Sequence, residues 1–388
     1  MKLLTHSLRA ILFVPLLIFS GLCARAQVDV TVSTLVPVGI SPLEGSQGGL
    51  ATEVLSADLK RTGMISPVGS GTGDYLASGD ATDAGLVGKL VNKRTGENVF
   101  AQTFNGKPRA AAHLFADAIT RAVTNLPGFA ACKLAFISNA TGAKELYLAD
   151  MDGYNSRAIT HDGTISASPA LNKDGTKLAY TSYKSGYPDI YLIDLGSSSR
   201  TRIAFFPGIN SGPSFSPDGS QIAMTLSKDG NPEIYTMQLN GGALTRITRT
   251  RGSETSPSWS PTGDRLVYSS DDRGSPQLFI SSSTSVSEMD HLVTGNAYCT
   301  KPDWSPDGKL IAFTTRLGGQ FQIGVYNVAS RTGQLITTSG GQDPVWTCNS
   351  RHLVYSNNGR LYLLDTVSRQ SLPIDTGVSG CGEPAVSR

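Results

Sequence analysis

Two hydrophobic rhythms divide the chain, one running to about residue 129 and another from residue 130 onward. Val28, Val30 and Val32 alternate with Asp29 and Thr31, the period-two pattern of a strand with one buried face. Leu50, Val54, Leu55 and Leu59 recur at helical spacing and predict a helix over 48–61, with Gly63 as its stop signal. After Pro108, the stripe Ala111, Leu114, Phe115, Ala118, Ile119 and Ala122 predicts a second helix that Pro127-Gly128 ends. Between them 75–80, 86–92 and 99–104 read as strands, the last two joined by a Thr95-Gly96 turn. Residues 27–129 are therefore expected to form a small α/β domain. Gly69-Ser70-Gly71-Thr72-Gly73-Asp74 reads as a turn: Asp74 stands where a dinucleotide loop needs glycine, and no helix follows.

From residue 130 the pattern repeats. Units start at Pro169, Pro213, Pro257, Pro302, Pro344 and Pro384, at spacings of 44, 44, 45, 42 and 40 residues, the length of a four-stranded propeller blade. Turns such as Ser216-Pro217-Asp218-Gly219 and Ser305-Pro306-Asp307-Gly308 precede short apolar strands, among them Ile222-Ala223-Met224 and Ile311-Ala312-Phe313. The last unit stops where its second strand is due, while Leu134-Ala135-Phe136 waits unmatched at the start of the repeats. We expect residues 383–387 to pair with that strand and leave no open sheet edge. The fold class is thus mainly β: a six-bladed, WD-repeat-like β-propeller over 130–388, preceded by the α/β domain. Trp259, Trp304 and Trp346 share one register position with Phe215 and Leu171, an interchange that fits blade-to-blade packing better than a ligand-stacking ring.

Composition agrees, with 42 Gly and 20 Pro against only 16% charged residues. The first 26 residues carry a basic start, an apolar run over 11–19 and the small-x-small ending Ala24-Arg25-Ala26, so we expect a cleaved secretory signal. Leu22 before Cys23 disfavours a lipoprotein site, and no later run is long enough to cross a bilayer. Three of the 33 basic residues (Lys2, Arg9, Arg25) fall in this leader, leaving 30 against 31 acidic ones, which argues against a nucleic-acid partner. Gly-x-Ser-x-Gly, phosphate-loop and His-Glu-x-x-His motifs are all missing. Asp150-Met151-Asp152-Gly153 lacks the later ligands of a calcium loop and reads as a hairpin turn, and His113 reads as a partly buried helix residue. No catalytic residue, cofactor or metal is expected.

Arg109-x-x-x-His113, Ala116-Asp117-x-Ile119 and Leu126-Pro127-Gly128-Phe129, followed by the Ser-Pro-Asp-Gly propeller, resemble the TolB family of periplasmic Tol-Pal system components. The resemblance covers nearly all of the chain after residue 26. It implies a non-enzymatic, monomeric scaffold in the periplasm that maintains envelope integrity and supports division. The implied partners are the OmpA-like peptidoglycan-associated lipoprotein, bound at the channel mouth, and a TolA-like inner-membrane protein, bound by the extreme N-terminus. By repeat register, the lipoprotein-contacting loops fall on Ile209, Asn210, Ser211 and Gly212 and on Glu254, Thr255 and Ser256, with equivalents that include Asp343 and Glu383. Val28, Asp29, Val30, Thr31 and Val32 are the N-terminal partner segment, adding as an edge strand, or else the domain's own first strand. A propeller enzyme or binding protein acting on carbohydrate is the alternative.

Four cysteines follow the leader and allow three pairings. Repeat register places Cys132 and Cys348 in inner turns of neighbouring blades, on one face. Cys299 and Cys381 each lie three residues before a unit proline, on the opposite face and one blade apart. We expect Cys132–Cys348 and Cys299–Cys381 disulfides.

Overall fold

The computed structural model describes residues 35–286 and 288–388; the expected leader and the segment holding Val28, Val30 and Val32 lie outside the described residues. The α/β region is a five-stranded sheet carrying two helices. Its elements are β1 (Val36–Ile40), α1 (Gly48–Arg61), β2 (Ile65–Gly69), β3 (Tyr75–Thr82), β4 (Gly85–Asn92), β5 (Asn98–Asn105) and α2 (Pro108–Thr124). The order is β2-β1-β3-β4-β5, with β1 parallel to both neighbours and the rest antiparallel.

Pro108 opens α2, where a missing N–H costs nothing, and Asn125 closes it in the left-handed conformation at φ 60°. The buried face of α1 is Ala51, Val54, Leu55, Asp58 and Leu59, and that of α2 is Ala111, Ala112, His113, Phe115, Ala116, Ile119 and Thr120. Leu50 and Leu114, expected inside, are exposed. Polar Asp58 and His113 take inward positions instead, because their side chains bond to each other.

The remainder is a six-bladed propeller of four-stranded sheets. Five blades are continuous in sequence, starting at the inner strands Ser166–Leu171, Asn210–Phe215, Glu254–Trp259, Cys299–Trp304 and Gln342–Trp346. The sixth joins the chain's last strand, Cys381–Val386, to β6 (Lys133–Ser138), β7 (Glu145–Asp150) and β8 (Arg157–Ala158). In this closing pair Cys381 faces Ser138, Ala385 faces Ala135 and Val386 faces Leu134.

Blades cover one another on both sides, which explains why their second strands are continuous apolar runs rather than alternating ones. Leu178, Ala179 and Tyr180, for example, are fully buried. The three tryptophans are buried between blades, and two bond across the gap: Trp259 Nε1 donates to Ser214 O at 3.0 Å and Trp346 Nε1 to Asp303 O at 3.0 Å.

The join to the propeller shows why 126–129 reads Leu-Pro-Gly-Phe. Asp117 accepts from the backbone N–H groups of Ala130 and Ala131 at 2.7 and 3.0 Å, and burial pushes its carboxyl up to about 6. Gly128 lies so close that a Cβ there would meet the Asp117 Cα at 2.3 Å, which only glycine avoids. Phe129 then packs against buried His352, ring centroids 4.8 Å apart and planes tilted by 41°.

Candidate functional site

Each inner strand contains a bulge at the residue before its proline. Ser168, Gly212, Ser256, Lys301, Asp343 and Glu383 all adopt left-handed backbone, with φ between 48° and 59°. One per blade, they form a ring around a channel of about 620 Å3. Their N–H groups turn toward the preceding blade: Gly212 N donates to Thr181 Oγ1 at 3.3 Å, Asp343 N to Thr314 Oγ1 at 2.9 Å and Ser168 N to Glu383 Oε2 at 2.8 Å. A strained conformation is thus over-determined by interblade hydrogen bonds.

The ring is chemically lopsided. Ser168, Gly212 and Ser256 make a small, neutral half; Lys301, Asp343 and Glu383 make a charged half, with Lys301 Nζ 3.8 Å from Glu383 Oε2. Burial raises the Asp343 carboxyl, against the pull of Lys301. Beyond the neutral half, the turns of the first blade and the entry to the second expose Ile165, Tyr183, Tyr187, Phe205 and Ile209, Tyr187 being 74% exposed. An apolar arc of this kind on a rim is what a partner surface uses for anchoring. Of its five members only Ile209 is expected from the sequence, although the aromatic at 187, where other units carry Asn231 or Ser275, is a readable signal.

At the far end Arg388 crosses toward the fourth blade. Its guanidinium contacts Asp303 and donates to Trp304 O at 3.0 Å, while Asp303 also accepts from Ser258 Oγ at 3.2 Å and Trp346 N at 2.7 Å. Arg121 and Pro127 of the preceding region line this end, so the channel is more enclosed there.

Of the residues predicted for the mouth, Gly212, Ser256, Asp343 and Glu383 line the channel and Ile209 is exposed beside it. Ser211 and Thr255 are half-buried neighbours. Asn210 and Glu254 require correction: both are fully buried and unavailable to a partner. Asn210 ties its loop together, accepting from Phe206 N at 2.8 Å and donating to the carbonyls of Pro188, Phe206 and Gly208. Glu254 accepts from Ser270 Oγ at 2.6 Å and Thr250 Oγ1 at 2.7 Å and sits against Glu233.

Glu233 and Glu254 are both buried, and their surroundings push the two carboxyls in opposite directions. Burial, aided by the Glu233 charge, pushes Glu254 from the ordinary 4.5 up to about 7. Glu233 is buried too, but the nearby polar groups of Thr248 and Glu254, the Thr250 N–H at 2.9 Å and the guanidinium of Arg246 at 2.8 Å hold it below the usual range. As pH rises from 4.5 toward 7, the unfolded chain loses the Glu254 proton before the folded one does, so stability falls across that window. Glu254→Gln, a neutral isostere, is expected to melt roughly 2–5 °C above the native protein at pH 8 and level with it at pH 5. Thermal melts at the two pH values check this; an unchanged difference would contradict the raised Glu254 carboxyl.

All four described cysteines are free thiols in the structure. The expected Cys299–Cys381 pairing is not present. These residues occupy the same register position in the fourth and sixth blades with the fifth between them, and each thiol contacts a threonine hydroxyl of its own unit, Thr294 at 3.1 Å and Thr376 at 3.4 Å. Cys132 and Cys348 do meet, Sγ to Sγ at 3.7 Å. The neighbouring Cys348 and burial raise the Cys132 thiol well above its ordinary value, so attack on an oxidant is slow at neutral pH. After incubation with oxidised glutathione, non-reducing peptide mapping is expected to yield a Cys132–Cys348 peptide, with Cys299 and Cys381 alkylated. Alkylated Cys132 in oxidised protein would be the contrary result.

The family model of the TolB beta propeller domain matches residues 120–387. The Tol-Pal system protein TolB of Methylococcus capsulatus is 34% identical over 206 residues, covering 44% of this chain and 48% of the relative. That of Geobacter sulfurreducens is 34% identical over 151 residues, covering 38% of this chain and 34% of the relative. The chain thus spans about half, or less, of the length of the curated relatives it matches. The crystal structure of TolB from Acinetobacter baumannii superposes with a TM-score of 0.80 at 26% identity, covering 91% of this chain and 97% of that one. With a matching model over most of its length and a solved relative of the same architecture, the chain belongs to the TolB β-propeller family.

Proposed function

We propose that this protein is a periplasmic, non-enzymatic scaffold of a Tol-Pal system that binds an OmpA-like peptidoglycan-associated lipoprotein at the channel mouth. The observation that carries this reading is the rim itself: an exposed apolar arc (Ile165, Tyr183, Tyr187, Phe205, Ile209) beside the neutral half of the bulge ring, with charges opposite. Such an arrangement offers a partner an anchoring patch and an orienting rim. The relatives' name, Tol-Pal system protein, supplies the class of partner. Val28, Asp29, Val30, Thr31 and Val32 are the segment we assign to a TolA-like partner, by strand addition. A glycan ligand is disfavoured because the three tryptophans that would stack on sugar rings are buried between blades. A pull-down of the chain from Gln27 with the same organism's lipoprotein tests the reading; capture of the lipoprotein is expected, and its failure would return the carbohydrate alternative.

A further inference from the structure

The junction between the α/β region and the sixth blade contains a set of donor atoms that the scaffold role does not use. On α2, His113 is 3% exposed, and its Nδ1 is committed to Asp58 Oδ2 at 2.6 Å. Its other nitrogen, Nε2, is buried with no hydrogen-bond partner among the described residues. Across the junction, the end of β7 and the turn after it present Asp150 and Asp152. A ring nitrogen of His113 and one oxygen from each carboxylate lie within 4.8 Å of one another.

We propose that His113, Asp150 and Asp152 form a binding site for a divalent zinc ion that bridges α2 to the ring-closing blade. A mixed imidazole and carboxylate set of this kind suits zinc, with water in the fourth position. Ligand distances of about 2.1 Å put tetrahedral donor atoms roughly 3.4 Å apart, so modest contraction of the existing cluster completes the site. Asp58 supplies the outer partner that metal-bound histidines need: by accepting from Nδ1–H it fixes the tautomer that leaves the Nε2 lone pair free for the ion. Asp58 is itself held by Arg61 at 2.9 Å.

The flanking groups set limits on the affinity. Arg109 pairs with Asp152 and lies over the Tyr154 ring at 4.0 Å, and Tyr154 N donates to Asp152 Oδ1 at 3.0 Å. Asn155 Nδ2 occupies Asp150 Oδ2 at 2.7 Å, leaving Oδ1 without a partner among the described residues. Asp58, Asp150 and Asp152 face the guanidinium groups of Arg61 and Arg109, so in the metal-binding form, with the His113 proton displaced, these groups carry a net negative charge. Three protein ligands and a nearby guanidinium make the site weaker than a closed, four-ligand zinc site.

The test is calorimetric titration of tag-free, metal-stripped protein with zinc chloride at pH 7.5. It uses a Cys132→Ser, Cys348→Ser background so that the adjacent thiols cannot take up the ion. One site per chain is expected, with at least a tenfold loss of affinity in Asp150→Asn and in His113→Gln. Asp150→Asn keeps an acceptor for Asn155 and preserves the fold, which a matching melting temperature without zinc verifies. Titration with cobalt adds a visible absorption band in the parent and none in the variants. No saturable uptake, or uptake equal in parent and Asp150→Asn, overturns the site and leaves His113 as the buried partner of Asp58 alone.

Discussion

Deleting residues 383–388 is expected to lower the melting temperature by about 10 °C or more, or to yield aggregated protein. Those residues hold the core members Ala385 and Val386, which are 5% and 4% exposed and pair with Ala135 and Leu134 of β6. Losing that burial costs on the order of 2–3 kcal/mol. The closing sheet also loses the bonds from Ser387 N to Lys133 O at 3.1 Å and from Lys133 N to Ser387 Oγ at 2.8 Å. A larger penalty follows from topology: β6 becomes an edge strand facing the channel, with unpaired N–H and C=O groups ready to take another chain. Removing Arg388 alone breaks only its contacts with Asp303, Trp304 and Lys173 and should cost much less. Melting curves of the two truncations against the full chain make the comparison; a full melting temperature after deletion of 383–388 would contradict ring closure.

The second large effect is expected at the mouth. Tyr187→Ala together with Ile209→Asp should weaken lipoprotein binding at least 100-fold while leaving the melting temperature within a degree or two. Tyr187 is 74% and Ile209 42% exposed, so neither contributes much to the core. Aromatic anchors at a rim commonly carry 2 kcal/mol or more each, and a carboxylate placed in the apolar arc adds a desolvation cost on docking. Gly212 is a poorer probe, because its φ of 59° makes any side chain there strain the bulge and confuse folding with binding. Equal affinity in native protein and double variant, both folded, would move the partner away from this arc.

The propeller was legible because the same code, a proline after the bulge, a tight turn and then an apolar run, is written five times in full and begun a sixth time at Pro384. The α/β region was read less completely. Strands β1 and β2 carry Pro37, Gly39, Pro67 and Gly69 within five residues each, a composition that local rules assign to turns. Only the parallel pairing of β1 with β2 on one side and β3 on the other makes them strands. Asn210 and Glu254 were misread as surface residues because a polar residue in a loop normally is one. The corrective signal was present: the same register position holds Cys299 and Cys381, and Ser166, Asn210, Glu254, Cys299 and Cys381 are all buried. The Asp58–His113 bond joins residues 55 apart on two helices and has no local signature.

We propose that this propeller mouth receives an envelope lipoprotein. Calorimetric titration of the chain from Gln27 with the soluble domain of the same organism's OmpA-like peptidoglycan-associated lipoprotein tests it most directly. Saturable one-to-one binding, lost when Tyr187 and Ile209 are replaced, is the predicted result. An absence of binding by folded native protein would contradict the account, leaving the six-bladed fold in place but its partner to be sought elsewhere.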